Sequence, residues 1–278
     1  MKKILILSLS VLSTLLFSAC TDQANQPESQ AETIIGKHTI RFTEPPKRIP
    51  APHSVDAPLL GNGFTGVALS GTPESQVFYV ARNDFWRLKS ALDESFPLVL
   101  GKIELDIPQL KDASYLVEQQ LYDAVSTARF TKGDISVFYK AFVPATEDML
   151  IVDLNMEGNG AVEGSAGIFF LGKEEQINKP PLERIFPDVR EHETKPNGVE
   201  YLSRAFVDSV DIPTKGAMAL RVSGSTDGKF TLEPGKTVRL VCAFSSNFKS
   251  DDCVPNVYIS LSFTWRLETA VSMSACRR

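Results

Sequence analysis

Short runs in which apolar and polar residues alternate recur along most of this chain, and turn-forming residues separate them. The clearest run is "VLGKIELDIP", where an apolar side chain occupies every second position from Ile103 to Ile107. A period of two is typical of a strand that buries one face. Further on, "TKGD" (Thr131 to Asp134) separates two strand-like segments, as the turn of a β-hairpin does. About a dozen such segments and no strongly amphipathic helix predict an all-β fold, an antiparallel sandwich or barrel.

Composition and charge narrow the classes of function. Of the 278 residues, 43% are hydrophobic and 23% are charged, as in an ordinary globular protein. The formal net charge of −5 argues against a general nucleic-acid surface, so we expect no nucleic-acid partner. A mildly acidic protein suits a neutral or basic ligand, but the net charge alone selects none.

The stretch "GNGFTG" (Gly61 to Gly66) matches the glycine pattern of a dinucleotide-binding loop. Such a loop needs a buried strand before it and a helix after it, whose N-terminus holds the pyrophosphate. The preceding "HSVDAP" contains a proline and no apolar run, and the following "VALSGTPE" cannot start a long helix. We therefore predict no nucleotide site and no cofactor, and interpret the glycines as a tight turn beside a closely packed strand.

The first 19 residues have the pattern of an export signal. Two lysines precede an apolar run from Ile4 to Phe17, which is shorter than the roughly 20 residues of a membrane-spanning helix. The run ends in "LFSAC", which resembles the lipobox of bacterial lipoproteins, with Phe17 where leucine is usual. The resemblance implies lipidation of Cys20, a membrane partner, and a location in the cell envelope, facing the periplasm or at the cell surface. The alternative is cleavage near Ala19 and a freely soluble exported protein.

The expected organisation is a signal at 1–19, a tether at 20–45, a β-sandwich at 46–252 and an atypical tail at 253–278. The tether begins with "TDQANQPESQA", which is polar and contains no large apolar residue. It leads into "TEPPKRIPAP", whose four prolines exclude a helix or a central strand. We expect this second stretch to be an extended start of the domain.

Cysteine and histidine residues do not form a recognisable site. Beyond Cys20, the sequence has Cys242, Cys253 and Cys276, an odd number that leaves at least one thiol free in an exported protein. Cys242 and Cys253 could pair, but their spacing does not indicate a disulfide framework, and we favour buried thiols. The three histidines are far apart, and no pair has metal-ligand spacing, so we predict no metal site.

The stretch "LGNGFTGVALSGTPESQVFYVARNDFW" (Leu60 to Trp86) resembles the start of the N-terminal β domain of glycoside hydrolase family 95 and related family 65-like enzymes. The features are a Gly-Asn-Gly turn, a small-residue strand, a Gly-x-Pro-Glu turn and a strand ending in an Asn-acidic-x-x-Trp-like segment. That last segment is one residue shorter here, at Asn83 to Trp86. "LVLGKIELDI" and the run from Tyr115 to Leu154 continue the resemblance, which covers roughly Leu59 to Asp251.

The resemblance implies a large β-sandwich, a linker and an (α/α)6 barrel that carries both catalytic carboxylates. Substrates of the family are glycosides, often α-L-fucosides in family 95. Because a barrel of this kind is absent from the 278 residues, the resemblance assigns no catalytic residue here. Together with the lipoprotein signal, it implies an exported lipoprotein that comprises the non-catalytic N-terminal domain of a glycoside hydrolase of the α-L-fucosidase type, truncated before the barrel. The alternatives are a free-standing carbohydrate-binding lipoprotein and a scaffold lipoprotein with no ligand.

The segment "RNDFW" supplies the candidate carbohydrate-facing residues Asn83, Asp84 and Trp86. An aromatic ring offers a flat face for the C–H surface of a sugar, and amide and carboxylate groups bond hydroxyls. The alternative is that Trp86 and Phe85 pack in the core while the two polar residues satisfy backbone groups in a turn.

The tail departs from the family pattern. After "SSNFKSDDC" the sequence reads "VPNVYISLSFTWRLETAVSMSACRR" rather than a polar linker and a barrel. A frameshift or premature stop explains this tail, and a genuine short protein with a terminal strand is the alternative.

Overall fold

The computed structural model of the protein describes residues 30–50, 55–90, 95–172, 188–248 and Cys253. These residues contain one short helix, α1 (Gln30–Ile35), one 3₁₀ turn (Pro108–Leu110) and 15 strands. In chain order the strands are β1 (Thr39–Phe42), β2 (Leu59–Gly61), β3 (Thr65–Thr72), β4 (Ser75–Arg87), β5 (Phe96–Asp106), β6 (Ser114–Gln120), β7 (Val125–Lys132), β8 (Ile135–Phe142), β9 (Met149–Glu157), β10 (Val162–Phe169), β11 (Val189–Thr194), β12 (Glu200–Phe206), β13 (Thr214–Val222), β14 (Lys229–Leu232) and β15 (Val238–Ser246).

The strands form two antiparallel sheets. The larger sheet has nine strands in the order β1-β6-β7-β8-β9-β15-β13-β12-β11, and the smaller has six in the order β14-β10-β5-β4-β3-β2. The predicted hairpin is present, because Lys132 pairs with Ile135 across a turn in which Gly133 has a φ of 62°. The all-β antiparallel prediction is therefore confirmed.

Apolar side chains from both sheets form one core between them. Val67, Phe78 and Ile103 contribute from the smaller sheet, and Leu154 and Leu240 contribute from the larger one. In β5 the apolar side chains of the predicted alternation are buried, while the polar side chains between them are half-buried. Burial of one face of each sheet is the arrangement expected of a sandwich.

A second apolar cluster covers the outer face of the larger sheet. Met149 and Ile151 alternate along β9 with residues of the main core and therefore point to the opposite face. Cys253 is fully buried in this outer cluster, whereas Cys242 is buried in the main core. Neither thiol forms a disulfide, in agreement with the expectation of buried thiols. Burial raises the pKa of the Cys242 thiol, and the charge of Glu200 adds to this effect.

The chain divides into two compact units, residues 1–38 and 39–278. The first sheet strand, β1, begins at Thr39 and pairs with β6, so the sheet includes part of the stretch 20–45 that the sequence assigns to a tether. Alternation of Ile40 and Phe42 with polar residues makes this short edge strand possible. The signal at 1–19, Cys20 and the tail after Cys253 lie outside the described residues. Within the described ranges, no helix is long and apolar enough to cross a membrane.

Candidate functional site

The segment "RNDFW" occupies an irregularity in β4. Ala81 pairs with Val99 of β5, and the next pair is Trp86 with Pro97, so residues 82–85 stand opposite Leu98 alone. Extra residues in one strand bend it and turn side chains away from the regular alternation. The side chains of residues 82–85 therefore need not alternate between the two faces of the sheet as those of a regular strand do.

Arg82 carries a guanidinium group into the protein interior. Its side chain is fully buried and binds Asp84 through two parallel hydrogen bonds, from Nε to Oδ1 at 2.9 Å and from Nη2 to Oδ2 at 2.8 Å. Nη1 lies 3.2 Å from Asp148 Oδ2 and donates to Thr65 Oγ1 at 3.3 Å. Burial lowers the pKa of Arg82, but the hydrogen bonds and negative charges of Asp84 and Asp148 outweigh it and raise the pKa overall.

The "GNGFTG" stretch forms the turn between β2 and β3, with a strand rather than a helix after it. Asn62 accepts hydrogen bonds at Oδ1 from the backbone N–H groups of Phe64 (3.1 Å) and Thr65 (2.9 Å). Its Nδ2 donates to the carbonyl oxygens of Pro144 (3.2 Å) and Glu147 (3.1 Å). The turn is thus fastened to the loop before β9, beside the Arg82 network.

Of the three predicted carbohydrate-facing residues, Asn83 is exposed and the other two, Asp84 and Trp86, are half-buried. Asn83 is exposed and donates from Nδ2 to the carbonyl of Gly63 at 2.8 Å. Asp84 is occupied by Arg82 and also accepts a hydrogen bond from Ser246 Oγ at 2.7 Å. Trp86 is half-buried, and its Nε1 donates to the Asn83 carbonyl at 2.7 Å. Their role in binding sugar stays a prediction.

A cleft of about 230 Å³ opens where β10 of the smaller sheet approaches β12 and β13 of the larger one. The pairing of β10 with β14 ends at Ser165, and the cleft lies along the following part of the same edge. Both sheets supply carboxylates to its wall, and β10 supplies an aromatic ring. These five residues, called the acidic cleft below, are Glu104, Asp106, Phe169, Glu200 and Asp227.

Glu200 connects the two sheets at the mouth of the acidic cleft. Its Oε2 accepts a hydrogen bond at 2.9 Å from the backbone N–H of Ile168 in β10. Its Oε1 lies 2.7 Å from Nε2 of His192. The His192 ring is in edge contact with Phe169 and Phe170, with centroid distances of 6.4 and 6.2 Å. These contacts hold Glu200 in position, and the Phe169 ring forms an aromatic part of the cleft wall beside it.

Phe169 presents an accessible ring, because 39% of its surface remains exposed. Gly167 precedes it by two positions on the same face of β10. A Cβ atom at Gly167 would lie 3.0 Å from the Phe169 ring and 3.3 Å from Glu200 Oε2. A side chain at Gly167 would crowd both groups, so the glycine lets the ring and the carboxylate pack closely against β10.

The other carboxylates of the acidic cleft are also fixed by neighbours. Glu104 Oε1 lies 2.7 Å from Lys102 Nζ, and Asp106 Oδ1 accepts a hydrogen bond from Ser75 Oγ at 2.6 Å. Asp227 Oδ1 accepts one from the backbone N–H of Lys229 at 3.1 Å, which is the main cause of its lowered pKa. An ionised, oriented carboxylate accepts hydrogen bonds from hydroxyl or amino groups.

The direction of the carboxyl pKa shifts bears on what the site can do. A glycosidase acid must remain protonated near neutral pH, which requires a raised pKa. Among the residues that line the acidic cleft, Asp227 has a pKa lowered mainly by the hydrogen bond from the Lys229 backbone. Glu191 and Asp211, whose pKa values are lowered mainly by hydrogen bonds from Ser203 and Ser90, do not line the cleft. Within the described ranges, no group of His, Cys, Asp and Glu has the arrangement needed to hold a metal ion. The lowered pKa of Asp227 favours its ionised form, which accepts hydrogen bonds and does not donate a proton.

Sequence reasoning does not identify the acidic cleft. Glu104 and Asp106 appear only as the polar half of the β5 alternation, and Glu200 lies far away in the chain. Two acidic residues at positions i and i+2 of a strand share a face, and this spacing is the local feature of the sequence that points to the cleft. The pairing of β5 with β10, and the approach of β12, bring the remaining groups together.

No family model matches the chain, and no curated protein matches it in sequence. Among solved structures, one described as "Putative kojibiose phosphorylase from human microbiome" is similar to this chain, with a TM-score of 0.47 and 9% sequence identity. The similar region covers 78% of this chain and 36% of that one. The chain therefore spans about a third of the length of that protein. The antiparallel β fold rests on the strand pairing described above.

Proposed function

We propose that this protein is a non-catalytic carbohydrate-binding domain of the glycoside hydrolase type, exported and attached to a membrane through Cys20. The acidic cleft carries the proposal, because it combines oriented carboxylates with an exposed aromatic ring in one concave site. Sugars need this combination, since their hydroxyls donate hydrogen bonds and their C–H faces stack on rings. The resemblance over Leu59 to Asp251 supports the same class of ligand.

The charge of the cleft selects among saccharides. Glu104, Asp106, Glu200 and Asp227 place four carboxylates around about 230 Å³. Lys102 and Lys229 pair with Glu104 and Asp227, but two lysines against four carboxylates leave the cleft net negative. Like charges repel in a partly enclosed site, so uronic acids and sulfated sugars are disfavoured. A neutral saccharide, such as a fucosyl or glucosyl oligosaccharide, offers only donors and acceptors and meets no such repulsion.

The test compares two aromatic residues of equal exposure. Phe169 is 39% exposed in the cleft, and Tyr122 is 40% exposed in the turn after β6. Calorimetric titration of the full chain with neutral oligosaccharides should show binding that Phe169→Ala weakens about tenfold, as loss of a stacking face does. Tyr122→Ala should bind as the wild type does. Equal affinity in the wild type and Phe169→Ala would exclude the cleft as the binding site.

A second location for sugar is the β4 bulge, because Asn83 is exposed and Trp86 is half-buried. If this face binds saccharide, Trp86→Ala abolishes binding while Phe169→Ala leaves it unchanged. The acidic cleft is the stronger candidate, since Asp84, which supplies the carboxylate of the bulge, is already bonded to Arg82 and Ser246.

The membrane attachment has its own test. "LFSAC" and the apolar run before it support lipidation of Cys20. Membrane fractions should retain the wild-type chain through a salt wash, whereas Cys20→Ala should lose this salt-resistant form. Equal amounts of both chains in the soluble exported fraction would show that Cys20 is not an anchor.

A further inference from the structure

Each lysine at or beside the acidic cleft is paired with a carboxylate. The pairs are Lys102 with Glu104 at 2.7 Å, Lys229 with Asp227 at 3.5 Å and Lys195 with Glu193 at 2.5 Å. Each pair sums to zero charge. The negative charge that remains in the cleft therefore belongs to its two other carboxylates.

Those two carboxylates, Asp106 and Glu200, are not paired with a lysine or arginine within the described residues. Asp106 Oδ1 accepts a hydrogen bond from Ser75 Oγ at 2.6 Å, and Glu200 Oε2 accepts one from the backbone N–H of Ile168 at 2.9 Å. Glu200 Oε1 lies 2.7 Å from His192 Nε2, which carries a positive charge only when it is protonated. The donors orient both carboxylates, but while His192 is neutral they do not neutralise them.

Two arginines lie further along the larger sheet and are already engaged. Arg190 and Arg204 both form ion pairs with Asp188. Arg204 follows Glu200 by four residues in β12, a separation of about 13 Å along a strand. Salt largely screens charges at such a distance, so these arginines do not compensate the cleft carboxylates.

The register of β10 and β5 brings the two uncompensated carboxylates to one surface. Gly167 pairs with Glu104 and Ser165 pairs with Asp106, so the four residues share a face of the smaller sheet. Glu200 Oε2 lies 3.3 Å from the position that a Cβ atom of Gly167 would take. Asp106 is the diagonal neighbour of Gly167, at about 7 Å. Glu200 and Asp106 therefore flank the same short stretch of β10.

We propose that the acidic cleft selects saccharides that carry a primary amine, that is, amino sugars without an acetyl group. An ammonium group offers three N–H donors and a positive charge to Asp106 and Glu200. The exposed ring of Phe169 serves the C–H face of the sugar, which a simple amine does not have. This inference rests on the proposed carbohydrate binding in the same cleft and names the class of saccharide.

Charge ranks the saccharides that the cleft could accept. An acidic sugar meets repulsion, and a neutral sugar offers the two carboxylates hydroxyl donors only. An ammonium donor forms charge-assisted hydrogen bonds, which are roughly twice as strong as bonds between neutral groups. A metal ion is not the expected cation, because no described group of His, Cys, Asp and Glu is arranged to hold one.

The experiment is calorimetric titration of the full chain, near neutral pH and at low ionic strength, with two trisaccharides of the same β-1,4 linkage. One consists of glucosamine and the other of glucose, so an amine replaces a hydroxyl at the same carbon. The glucosamine trisaccharide should bind about tenfold more tightly, the size of effect that a hydrogen bond between charged groups provides. Added salt should reduce this preference.

The outcomes separate the amine preference from the carbohydrate function. Equal affinity for the two trisaccharides, with both weakened by Phe169→Ala, would overturn the amine preference and leave carbohydrate binding in the cleft intact. Binding of neither trisaccharide would contradict both proposals. The diamine putrescine should bind at least about tenfold more weakly than the glucosamine trisaccharide. Equal binding of putrescine would mean that the cleft recognises amines rather than amino sugars, against the proposal.

Three charge-neutralising variants locate the preference. Glu200→Gln and Asp106→Asn should each remove most of it, measured as the ratio of the two affinities, which a partial loss of folded protein does not change. Glu118→Gln is the matched control, because its side chain is 28% exposed against 18% for Glu200 and β6 lies near the other end of the larger sheet from β12. It should keep the full preference. An equal loss in Glu118→Gln and Glu200→Gln would show that the net charge of the chain, and not the cleft, attracts the amine.

Discussion

Arg82 holds a full positive charge inside the sandwich, and its surroundings explain how. Asp84 and Asp148 place carboxylates against the guanidinium, and their side chains are only 15% and 9% exposed. Removing one member of such a buried group leaves the partners charged and unpaired, which costs more than the intact pair contributes. Ser246, near the end of β15, joins the same network through Asp84. Arg82 thereby fastens the β4 bulge to distant parts of the chain.

The first prediction concerns this network. Arg82→Met should lower the free energy of unfolding by about 3–5 kcal/mol, because two buried carboxylates lose their partner. Lys229→Met removes an exposed cation paired with Asp227 and should change stability by less than about 1 kcal/mol. Urea unfolding of both variants measures the difference. Equal stability of the two variants would mean that Arg82 is not a structural charge.

The second prediction separates two neighbouring aromatic residues. Phe85 is fully buried and its ring lies 5.9 Å from that of Phe206, whereas Trp86 is half-buried. Phe85→Ala should cost about 3–5 kcal/mol through the cavity it leaves. Trp86→Ala should cost less, about 1–3 kcal/mol, since much of its surface already meets solvent. A larger loss in thermal or urea unfolding for Trp86→Ala would assign the core position to Trp86 instead.

At the scale of single elements, the β3–β4 hairpin depends on a glycine. Gly71 has a φ of 94°, and a Cβ atom there would lie 2.1 Å from the carbonyl oxygen of Ser75. Gly160, after β9, has a similar φ of 87° but no atom within 4 Å of the same position. The two sites therefore share the backbone penalty of a positive φ and differ only in steric crowding.

The third prediction uses this pair. Gly160→Ala should cost about 1–2 kcal/mol, the usual penalty for a side chain in the left-handed region. Gly71→Ala should cost at least about twice as much, because the turn must also move to remove the clash. Chemical denaturation of both variants checks the difference, and similar losses would show that the hairpin relaxes freely around Gly71.

Local patterns predict the strands well and their irregularities poorly. The alternation in β5 and the turn at Gly133 depend on neighbouring residues only, so both are evident in the sequence. The bulge at residues 82–85 depends on Asp148 and Ser246, which lie more than 60 residues further along the chain. No local pattern contains that information. The same holds for β1, whose pairing with β6 decides that Thr39–Phe42 is a strand.

At the scale of the whole molecule, the arrangement of the two sheets creates the candidate site. Glu104 belongs to β5 of the smaller sheet and Glu200 to β12 of the larger, so only their packing brings them to one cleft. The sequence identifies a different location, the bulge with Asn83 and Trp86, because an aromatic next to polar residues is visible locally. A cleft formed between two sheets is therefore missed when the sequence is read one strand at a time.

The fourth prediction is that the chain hydrolyses no glycoside. Hydrolysis needs one carboxyl that donates a proton and a second placed about 5–5.5 Å or roughly 6.5–9.5 Å from it. In the acidic cleft the pKa of Asp227 is lowered, whereas a catalytic acid needs a raised pKa to stay protonated. Aryl α-L-fucosides and aryl α-glucosides should remain intact during long incubation with the purified chain. Turnover above the buffer blank that disappears in Glu104→Gln would assign catalysis to the cleft.

The most direct test of the central claim is to locate bound sugar by protein-observed NMR. Titration with a neutral fucosyl or glucosyl oligosaccharide should shift the amide signals of Gly167 and Gly228, which line the acidic cleft, and the signals of Phe169 beside them. An acidic oligosaccharide of equal size should shift none of them at the same concentration, because the cleft carboxylates repel it. Shifts confined to Asn83 and Trp86, or no shifts with any saccharide, would contradict the assignment of carbohydrate binding to the acidic cleft.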